Sequence, residues 1–461
     1  MYPFDFHSDC HRAIHFIGIG GVSMSAMAEI LHAKGFEVSG SDRAQNDTTR
    51  HLASLGITVY DHHDPRWVEG KDLIIYTDAV TLDNVELSAA IAQKKDIVDR
   101  ASFLGALMRD YEKSLAISGT HGKTTTTSMI TSMIKDLPCD PTILLGGQLD
   151  DIQGNVRVGS QELLLTEACE YKANILKYFP TTATILNIDE DHLDFFDNIE
   201  HIFATFAEYM KNLPEDGHLL LNRDDELVLR LKDYAPCEVH TFSLESDADY
   251  EARDIRYDGA GHPTFALYIR GELIGETTLK VMGRHNVVNA LAAIATCHVN
   301  GLDAMTSLER VALYRGVHRR LEWKGTYGEA TIVDDYAHHP TEIQSALHAL
   351  AQGTKGRLIC VFQPHTFTRT KLLLDRFATS FREADEVIIT DIYAAREKDY
   401  GDIHSRTLCD AIAREGQSVR YVATFDEIVE ELQEDLKPED VLVTMGAGDV
   451  YRIGELLLSK N

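Results

Sequence analysis

The sequence predicts an α/β protein in which most strands lie in parallel sheets covered by helices. In three successive blocks, short runs rich in Val, Ile, Leu and Thr alternate with stretches of helical periodicity. The chain has 461 residues, about three times a typical domain of ~150 residues, so two to four domains are expected.

The first block begins at residue 13 and reads AIHFIGIG, the helical pattern SMSAMAEILHAK, FEVSGSD, a second helical stretch, ITVY and DLIIYT. This is the order of βαβ units. Parallel strands need such crossover helices, so the block predicts a parallel sheet.

The second block starts at SLAISG, continues through a predicted helix at 123–135, and supplies ELLLTEA and TATILNI as buried strands. Residues 236–280 differ from the rest of the block. There, FALYI and LIGETTL predict the strands of a hairpin, and hence an antiparallel extension of this block.

The third block follows GVHRRLEW and contains TIVDDY, RLICVFQP, EVIITDIY and DVLVTMGAG, with helices predicted at 341–351 and 371–380. Strand-like runs again alternate with helices. The predicted domain boundaries are 1–108, 109–318 and 319–461.

Charge and composition exclude several classes of function. The formal net charge is −29, so the excess of Lys and Arg that a nucleic-acid surface needs is missing. No run approaches the ~20 apolar residues of a membrane span, and MYPFDFHSDCHR lacks the order of a signal peptide. The seven cysteines form no CxxC pair and no zinc-site spacing. We therefore expect a cytoplasmic protein with reduced thiols and no membrane insertion.

A glycine-rich turn, FIGIGGVSMS, lies between the first predicted strand and helix. Gly18 and Gly20 would let the backbone turn tightly beside a diphosphate at the helix N-terminus. Ser23 stands where the G-x-G-x-x-G fingerprint has its last glycine, and Asp42 lies about 20 residues on, where a ribose partner is expected. The turn favours a nucleotide or nucleotide-sugar over a plain connection, but does not specify NAD.

The segment SLAISGTHGKTTTTS predicts a second phosphate site. Gly119 and Gly122 would permit a tight loop of backbone N–H groups, Lys123 would reach the β- and γ-phosphates, and the hydroxyl of Thr124 would suit Mg²⁺. The general P-loop pattern requires glycine where this chain has Ile117, so the match is to the shorter variant G-T-x-G-K-T.

Two acidic clusters follow predicted buried strands. Glu167 ends LLLTEACEY, and ILNIDEDHLD contains Asp189, Glu190, Asp191, His192 and Asp194. Ligands bind beyond the carboxyl ends of parallel strands, so both clusters should lie near the phosphate loop. Mg²⁺ prefers oxygen ligands, which favours Glu167, while His192 would be a less usual ligand. A single acid at a strand end is more often a helix cap or a solvated turn.

Further polar residues cluster after residue 280. In GRHNVVN, Asn286 and Asn289 lie one helical turn apart and could contact a base or sugar, although helix capping by Asn286 explains the pattern equally well. In the third block, RRLE, DDYAHHP, FQPHTFTRTK and AAREKD gather Arg, His and Asp at predicted strand ends. Such residues indicate binding of anions and carboxylates.

Taken in order, HFIGIGG, SGTHGKTTTT, EACEY, NIDEDHLD, GRHNVVNA, DDYAHHP, FQPHTFTRT, DIYAAREK and MGAGD resemble the motifs of the Mur ligases of peptidoglycan synthesis. The resemblance covers essentially the whole chain. It implies an N-terminal Rossmann-like domain for a UDP-sugar, a central P-loop ATPase and a C-terminal Rossmann-like domain that closes over the site. The implied activity is ATP- and Mg²⁺-dependent joining of L-alanine to the lactyl carboxylate of UDP-N-acetylmuramate through an acyl phosphate.

The resemblance also implies residue roles. The UDP-sugar would be bound by Gly18, Gly20, Gly21, Ser23 and Asp42. ATP would be bound by Gly119, Thr120, His121, Gly122, Lys123, Thr124, Thr125, Asn286, Asn289, Arg320 and Asp335. The metal would be held by Thr124, Glu167 and His192. The lactyl carboxylate and amino acid would meet Tyr336, His338, His365 and Arg369. Catalytic roles would fall to Lys123, Glu167, His192, Arg320, His338 and Arg369.

The chain departs from the family pattern at three positions. Many relatives have aspartate in place of Cys169, glycine in place of Ala337 and arginine in place of Thr366. Because Thr366 replaces an arginine, Arg369 has less help from a neighbouring cation in orienting anions. Later-acting relatives carry a carbamylated lysine at a place that corresponds to Ala207 here, so that modification is not predicted.

Three alternatives remain open at this point. A recycling ligase would add a tripeptide to the same UDP-sugar by the same phosphate chemistry. An NAD-dependent oxidoreductase would use GIGGVS but leave GTHGKT unexplained. A nucleotide-gated regulator would bind ATP without releasing phosphate in response to substrate. Whether the protein is a monomer or a homodimer is also left open.

Overall fold

The computed structural model describes residues 4, 6 and 12–460, so Cys10 and most of the first eleven residues of the first predicted domain lie outside it. The described chain forms two compact units. One contains residues up to 119, 130–187 and 203–240, and the other contains 120–129, 188–202 and the chain from 241 onward. None of the helices in the described chain is long and apolar enough to span a membrane.

The first unit opens with an all-parallel sheet of five strands in the order β3-β2-β1-β4-β5. The strands are β1 Ala13–Ile17, β2 Glu37–Ser41, β3 Thr58–Tyr60, β4 Leu73–Tyr76 and β5 Asp96–Asp99. The helices are α1 Val22–Ala33, α2 Asp47–Ser54, α3 Val85–Ala92 and α4 Arg100–Asp110. Ile14, His15, Phe16 and Ile17 are all buried, as expected for a strand covered on both faces. The predicted parallel sheet is confirmed.

A second sheet in this unit has the strand order β11-β10-β6-β9-β7-β8, and only β8 is antiparallel to its neighbour in the pairings described. Its strands are β6 Lys113–Ser118, β7 Thr142–Leu149, β8 Gly154–Arg157, β9 Leu163–Ala168, β10 Thr182–Ile185 and β11 His218–Asn222. The associated helices are α5 Lys123–Ile134, α6 Ile199–Met210 and α7 Glu226–Arg230. Helices α5 and α6 each contribute residues to both units.

Strand β12 spans Glu238–Ser243, and its last residues pair in parallel with β13 in the second unit. There β13 Tyr250–Tyr257, β14 Pro263–Ile269 and β15 Glu272–Thr278 form an antiparallel meander, followed by α8 Arg284–Val299 and α9 Ala304–Val311. FALYI and LIGETTL lie on β14 and β15, so the predicted antiparallel extension is confirmed.

The second unit ends in a six-stranded sheet in the order β16-β17-β21-β18-β19-β20. Its strands are β16 Glu322–Tyr327, β17 Ala330–Asp335, β18 Leu358–Phe362, β19 Glu386–Ile389, β20 Val419–Tyr421 and β21 Val441–Met445. Its helices are α10 Pro340–Ala351, α11 Phe367–Leu372, α12 Leu374–Ala378, α13 Ser405–Arg414, α14 Phe425–Asp435 and α15 Tyr451–Ser459. Strand β16 is antiparallel to β17, and the other pairings are parallel. Two apolar clusters cover its faces.

One helix differs from the prediction. The stretch expected to be a single helix at 371–380 forms the two short helices α11 and α12, which meet at Leu373. Leu373 has φ −104° and ψ 18°, outside the helical region, while its side chain is buried in the core. Burial of this side chain accompanies the break, and a periodicity argument does not detect such a tertiary constraint.

Candidate active site

The predicted phosphate loop lies between β6 and α5, as expected from the sequence. Gly119 and Gly122 have φ values of +132° and +84°, which residues other than glycine rarely adopt. A Cβ on Gly119 would lie 3.0 Å from the backbone nitrogen of Asn187. Ile117 is fully buried within β6, so it belongs to the strand and the loop starts later than in the general P-loop pattern.

The first turns of α5 show which threonines of the TTTT run are used internally. Thr127 donates from Oγ1 to the carbonyl of Lys123 over 2.8 Å, and Thr126 donates to Oδ1 of Asn289 over 3.3 Å. Both threonines are fully buried. The ammonium of Lys123 donates to the carbonyl of Thr120 over 3.0 Å, across the loop in which a phosphate is expected.

The two asparagines predicted on the ATP side lie together on α8. Asn289 donates from Nδ2 to Oδ1 of Asn286 over 3.1 Å, and Asn286 donates to the carbonyl of Met282 over 2.8 Å. The N-cap of α8 is Gly283, so the capping alternative for Asn286 is not observed. The pair instead continues the hydrogen-bonded chain that starts at Thr126 in the phosphate-loop helix.

His121, in the middle of the GTHGKT loop, lies between two carboxylates. Its Nε2 is 3.2 Å from Oδ2 of Asp189 and its Nδ1 is 3.6 Å from Oε1 of Glu342. Burial alone would lower the pKa of His121, but hydrogen bonds to Asp189 and Glu342 outweigh it and raise the pKa to about 9. The phosphate loop therefore carries an imidazolium at neutral pH in addition to Lys123.

Asp189 is the anchor for this histidine. Thr341 donates to its Oδ2 over 2.6 Å, and Arg376 donates to its Oδ1 from both Nη atoms over 3.1 Å. Burial raises the pKa of Asp189, but the hydrogen bonds from His121 and Thr341 hold it well below its usual range. His121, Asp189 and His339 have the spacing of a metal cluster, but the guanidinium of Arg376 already neutralises Asp189. We therefore interpret Asp189 as a structural residue that holds the loop in position through His121.

Glu342, in the first turn of α10, joins the phosphate loop to the DDYAHHP segment. Besides His121, it lies 3.5 Å from Nη1 of Arg320 and 3.4 Å from Nδ1 of His338, and it accepts the backbone N–H of His338 over 3.1 Å. Burial opposes its ionisation, yet the N–H of neutral His338 and the positive charges of His121 and Arg320 together hold the pKa of Glu342 well below its usual range. Glu342 thus links three residues assigned to the site from the sequence.

Asp335 ends β17, and its carboxylate is hydrogen-bonded to two backbone N–H groups. Its carboxylate accepts the N–H groups of Leu321 and Ala337, each over 2.7 Å. Burial raises the pKa of Asp335 to about 6, although Arg320 opposes the shift. The residue predicted to contact ATP therefore shapes the turn that carries Arg320 and Tyr336. Ala337, one of the three departures, is buried and contributes its backbone N–H to this turn.

Two histidines predicted to contact the acceptor substrates are kept neutral. Burial lowers the pKa of His338 to about 3 and that of His365 to about 4. Nδ1 of His338 lies 2.9 Å from the carbonyl of Tyr336, which places its proton on Nδ1 and leaves Nε2 as an acceptor. The two imidazole rings lie 5.7 Å apart. The structure therefore brings Tyr336, His338 and His365 together.

Arg369 belongs to the same group. It donates from Nε and Nη2 to Oδ1 of Asp191 over 3.1 and 2.9 Å, and its Nη1 lies 3.2 Å from Nδ1 of His365. Burial raises the pKa of Asp191, but His192 and Arg369 outweigh it and hold that pKa far below its usual range. Thr366, another departure, caps α11 by accepting the N–H of Arg369 over 3.4 Å.

The predicted metal ligands show local signs of a functional site. His192 has φ +54°, in the left-handed region where side chains are strained, and its N–H donates to Asp191 over 2.6 Å. Glu167 accepts the N–H of Gly146 over 2.6 Å, and a Cβ on Gly146 would lie only 2.7 Å from that carboxylate. The hydroxyl of Thr124 and the carboxylate of Glu167 are oxygen donors that fit Mg²⁺.

In the first unit, the predicted UDP-sugar loop adopts a tight turn. Gly18 has φ +85° and donates to the carbonyl of Ser41 over 2.8 Å, and α1 begins immediately after Gly21. Asp42 accepts the N–H of Gly20 over 2.9 Å, and a Cβ on Gly20 would lie 2.8 Å from the same carboxylate. The structure therefore joins Asp42 to the glycine loop, while its predicted contact with the nucleoside stays a prediction.

Three family models match successive parts of the chain. They are described as the Mur ligase family catalytic domain at residues 13–112, the Mur ligase middle domain at 117–297, and the glutamate ligase domain of Mur ligases at 319–448. The chain belongs to the Mur ligase family. The resemblance seen in the sequence motifs is thereby confirmed.

This Mur ligase is similar along its whole length to curated relatives. The UDP-N-acetylmuramate--L-alanine ligase of Acetivibrio thermocellus is 47% identical over 97% of this chain and 96% of its own. The protein of the same name from Clostridium novyi is 46% identical, with 99% of both chains covered. The crystal structure of the UDP-N-acetylmuramate-alanine ligase MurC from Thermotoga maritima matches with a TM-score of 0.82 at 29% identity, covering 98% of this chain and 99% of that one.

A further solved structure shows the fold alone. The murein peptide ligase of Psychrobacter arcticus matches this Mur ligase with a TM-score of 0.73 at 23% identity, covering 97% and 98% of the two chains. The predicted α/β fold is confirmed by these matches and by the sheets described above.

Sequence reasoning did not single out several residues that build the site. Glu342, Thr341, His339 and Arg376 connect the predicted residues to one another. Glu342 and Thr341 follow DDYAHHP directly, in the first turn of α10, where an acid beside a helix N-terminus has an ordinary capping explanation. Only the buried ion pairs of the folded chain show that Glu342 is part of the site and not simply an acid at a helix N-terminus.

Proposed function

We propose that this Mur ligase joins L-alanine to the lactyl carboxylate of UDP-N-acetylmuramate at the expense of ATP, giving UDP-N-acetylmuramoyl-L-alanine, ADP and phosphate. The names and full-length similarity of its relatives support this proposal. The structural observation that carries it is Glu342, which joins the predicted phosphate loop and Arg320 by ion pairs and the acceptor-side His338 by a hydrogen bond. His121 pairs with Glu342, and Glu342 holds His338 and Arg320.

A link between the residues assigned to ATP and those assigned to the acceptor suits a reaction in which ATP first activates a carboxylate. An amine does not displace oxide from a carboxylate, so the γ-phosphoryl group of ATP is first transferred to a lactyl oxygen, giving an acyl phosphate. The amine of L-alanine then attacks the carbonyl carbon, and the tetrahedral intermediate expels phosphate and forms the amide. The ammonium group of L-alanine loses one proton to solvent to become the attacking amine and a second as the amide forms, and the third stays on the amide nitrogen.

On the donor side, Lys123 and the imidazolium of His121 place two cationic groups in the phosphate loop. They would oppose the negative charge of the transferring phosphoryl group, together with the N–H groups of the glycine loop. Thr124, Glu167 and His192 would hold Mg²⁺. The metal would supply charge neutralisation at the phosphate oxygens.

On the acceptor side, His338 and His365 are neutral and Arg369 is cationic. Because its pKa is lowered to about 3, His338 does not store a proton, but its Nε2 can accept a hydrogen bond from the amino group of the incoming amino acid. Arg369 would orient a carboxylate. We assign these residues to positioning, which is where much of the rate of such a reaction arises.

Gly18, Gly20, Gly21, Ser23 and Asp42 would bind the UDP portion, with the diphosphate at the N-terminus of α1. Both proposed nucleotides are cytoplasmic metabolites, so we propose a cytoplasmic enzyme.

The proposal is tested by ATP-dependent phosphate release with UDP-N-acetylmuramate and a panel of acceptors that contains L-alanine, L-serine, glycine and a tripeptide. We expect release to require both the sugar nucleotide and an amino acid and to be most efficient with L-alanine. Equal or better use of the tripeptide would instead support the recycling ligase. ATP binding with no substrate-dependent release would support the regulator.

A further inference from the structure

A cluster of potential metal ligands lies in the first unit, on β11 and β12, which are neighbours in the sheet. His218 begins β11, and Glu238 and His240 lie two residues apart on β12. Nε2 of His240 is 3.2 Å from Nδ1 of His218. Oε2 of Glu238 is 3.8 Å from Nδ1 of His218, and Oε1 is 3.8 Å from Nε2 of His240. None of these residues is among those assigned to ATP, the UDP-sugar or the acceptor.

The separations are close to those between the ligands of a tetrahedral transition-metal ion. Bonds of about 2.0–2.1 Å to a central ion put two ligand atoms about 3.3 Å apart. The two imidazole nitrogens already have this spacing. The three ligand atoms lie within 4.8 Å of one another, so an oxygen of Glu238 needs to move by at most about 1.5 Å to match. The side chain of Glu238 is 59% exposed, which allows that adjustment.

The backbone holds the histidines in place without the metal. The N–H of His218 donates to the carbonyl of Thr181 over 3.0 Å, and His218 is in register with Thr182 on β10. His240 is buried within β12 and its ring lies 5.3 Å from that of His218. A ligand pair on adjacent strands is fixed by the sheet, so little order has to be gained when an ion binds.

We propose that His218, Glu238 and His240 form a binding site for a divalent transition-metal ion of the zinc class, with water as the fourth ligand. Binding exchanges the hydrogen bond between the two imidazoles for two metal–nitrogen bonds, and the proton of that hydrogen bond passes through solvent to the other nitrogen of its ring. Each ring keeps one proton, on the nitrogen that faces away from the ion. Two imidazoles and one carboxylate favour Zn²⁺, Co²⁺ or Ni²⁺ and disfavour Mg²⁺, which requires an octahedron of oxygens.

Cysteine spacing is the usual sequence signal for zinc, and it could not reveal this site because the ligands are two histidines and a glutamate. Its two histidines are separated by 22 residues, and the intervening segment contains α7. An ion bound here would tie the two ends of that segment together, so the folded unit should become more resistant to heat when the ion is added.

The test uses the full chain and the ions themselves. Co²⁺ is titrated into the protein with excess Mg²⁺ present, and visible d–d absorption reports tetrahedral binding. Zn²⁺ binding is measured by equilibrium dialysis under the same conditions. We expect one equivalent of Co²⁺ to give the absorption, Zn²⁺ to displace it, and Mg²⁺ to have no effect.

Variants locate the bound ion. The double variant His218→Gln/His240→Gln should lose the absorption, and Glu238→Gln should bind Zn²⁺ at least about 10-fold more weakly. Two controls should bind as the wild type does. His262→Gln removes an exposed histidine paired with Asp258, and His339→Gln removes a member of the other His/Asp cluster.

The outcomes separate cleanly. Absence of binding in the wild type overturns the proposal, as does a signal that survives in the double variant or disappears in His339→Gln. If the double variant does not fold, Glu238→Gln decides the matter because its side chain is exposed. An unchanged Zn²⁺ affinity in that variant would leave no three-ligand site at this position.

Discussion

Replacing Glu342 by glutamine removes the charge that connects the phosphate loop to the acceptor residues while keeping the size of the side chain. Oε1 of Glu342 lies 3.6 Å from Nδ1 of His121 and 3.5 Å from Nη1 of Arg320. The carboxylate side chain is only 12% exposed, so these pairs are poorly screened by water.

The cost follows from these distances. At an effective dielectric constant of about 20, one pair of unit charges at ~3.5 Å interacts by about 5 kcal/mol. Part of this is offset because a glutamine is easier to bury than a carboxylate. Breaking a buried ion pair by removing one partner typically costs about 3–5 kcal/mol. For Glu342→Gln we therefore expect a loss of about 3 kcal/mol in the free energy of unfolding of the second unit.

Urea unfolding followed by circular dichroism measures this loss, and phosphate-release kinetics measure its consequence for catalysis. Because a displacement of the loop by about 1 Å can cost ~100-fold in rate, kcat/KM for ATP should fall by roughly 10- to 100-fold. The matched control is Glu245→Gln, which removes an exposed carboxylate 3.0 Å from Arg284 and should change stability by less than about 1 kcal/mol. If Glu342→Gln behaves like this control in both assays, the ionic link is not part of the working site.

Three further predictions concern single residues. Because pairing raises the pKa of His121 from ~6.5 in the unfolded chain to about 9, its stabilisation is complete below pH ~6.5 and is lost as pH rises through 9. The difference in unfolding free energy between the wild type and His121→Gln should shrink over that window, and a constant difference would contradict the assignment. Lys123→Ala should abolish phosphate release but leave binding of the UDP-sugar, measured by calorimetry, nearly intact, whereas loss of both would refute the division of roles. Gly146→Ala places a Cβ 2.7 Å from Oε1 of Glu167 and should raise the Mg²⁺ concentration needed for activity. The control Gly259→Ala, whose Cβ would have no atom within 4 Å, should leave that concentration unchanged. Equal behaviour of the two variants would argue against Glu167 as a metal ligand.

Much of the fold was predictable because the signals are local. Buried parallel strands read as continuous apolar runs, and the meander at β14 and β15 carries its own alternation. The break at Leu373 was not predictable. The sequence around it retains helical periodicity, and only the packing of its side chain in the folded core accompanies the interruption.

The site was predictable where a motif fixes local geometry and unpredictable where distant segments meet. Gly119 and Gly122 adopt positive φ, and the GTHGKT motif predicts this because it places glycine at both positions. By contrast, Thr341 reaches Asp189 across 152 residues of sequence. Asp335 was assigned to ATP from the family pattern. Its carboxylate accepts hydrogen bonds from the N–H groups of Leu321 and Ala337, and these contacts exist only in the folded turn.

The central claim is that the γ-phosphoryl group passes to the lactyl carboxylate before the amide forms. The most direct test is to label both oxygens of that carboxylate with ¹⁸O and to analyse the products of a reaction with ATP and L-alanine by mass spectrometry. The proposed route predicts that one labelled oxygen appears in the released phosphate and the other stays in the amide carbonyl. Phosphate released without label would contradict the acyl-phosphate route and, with it, the function proposed for this site.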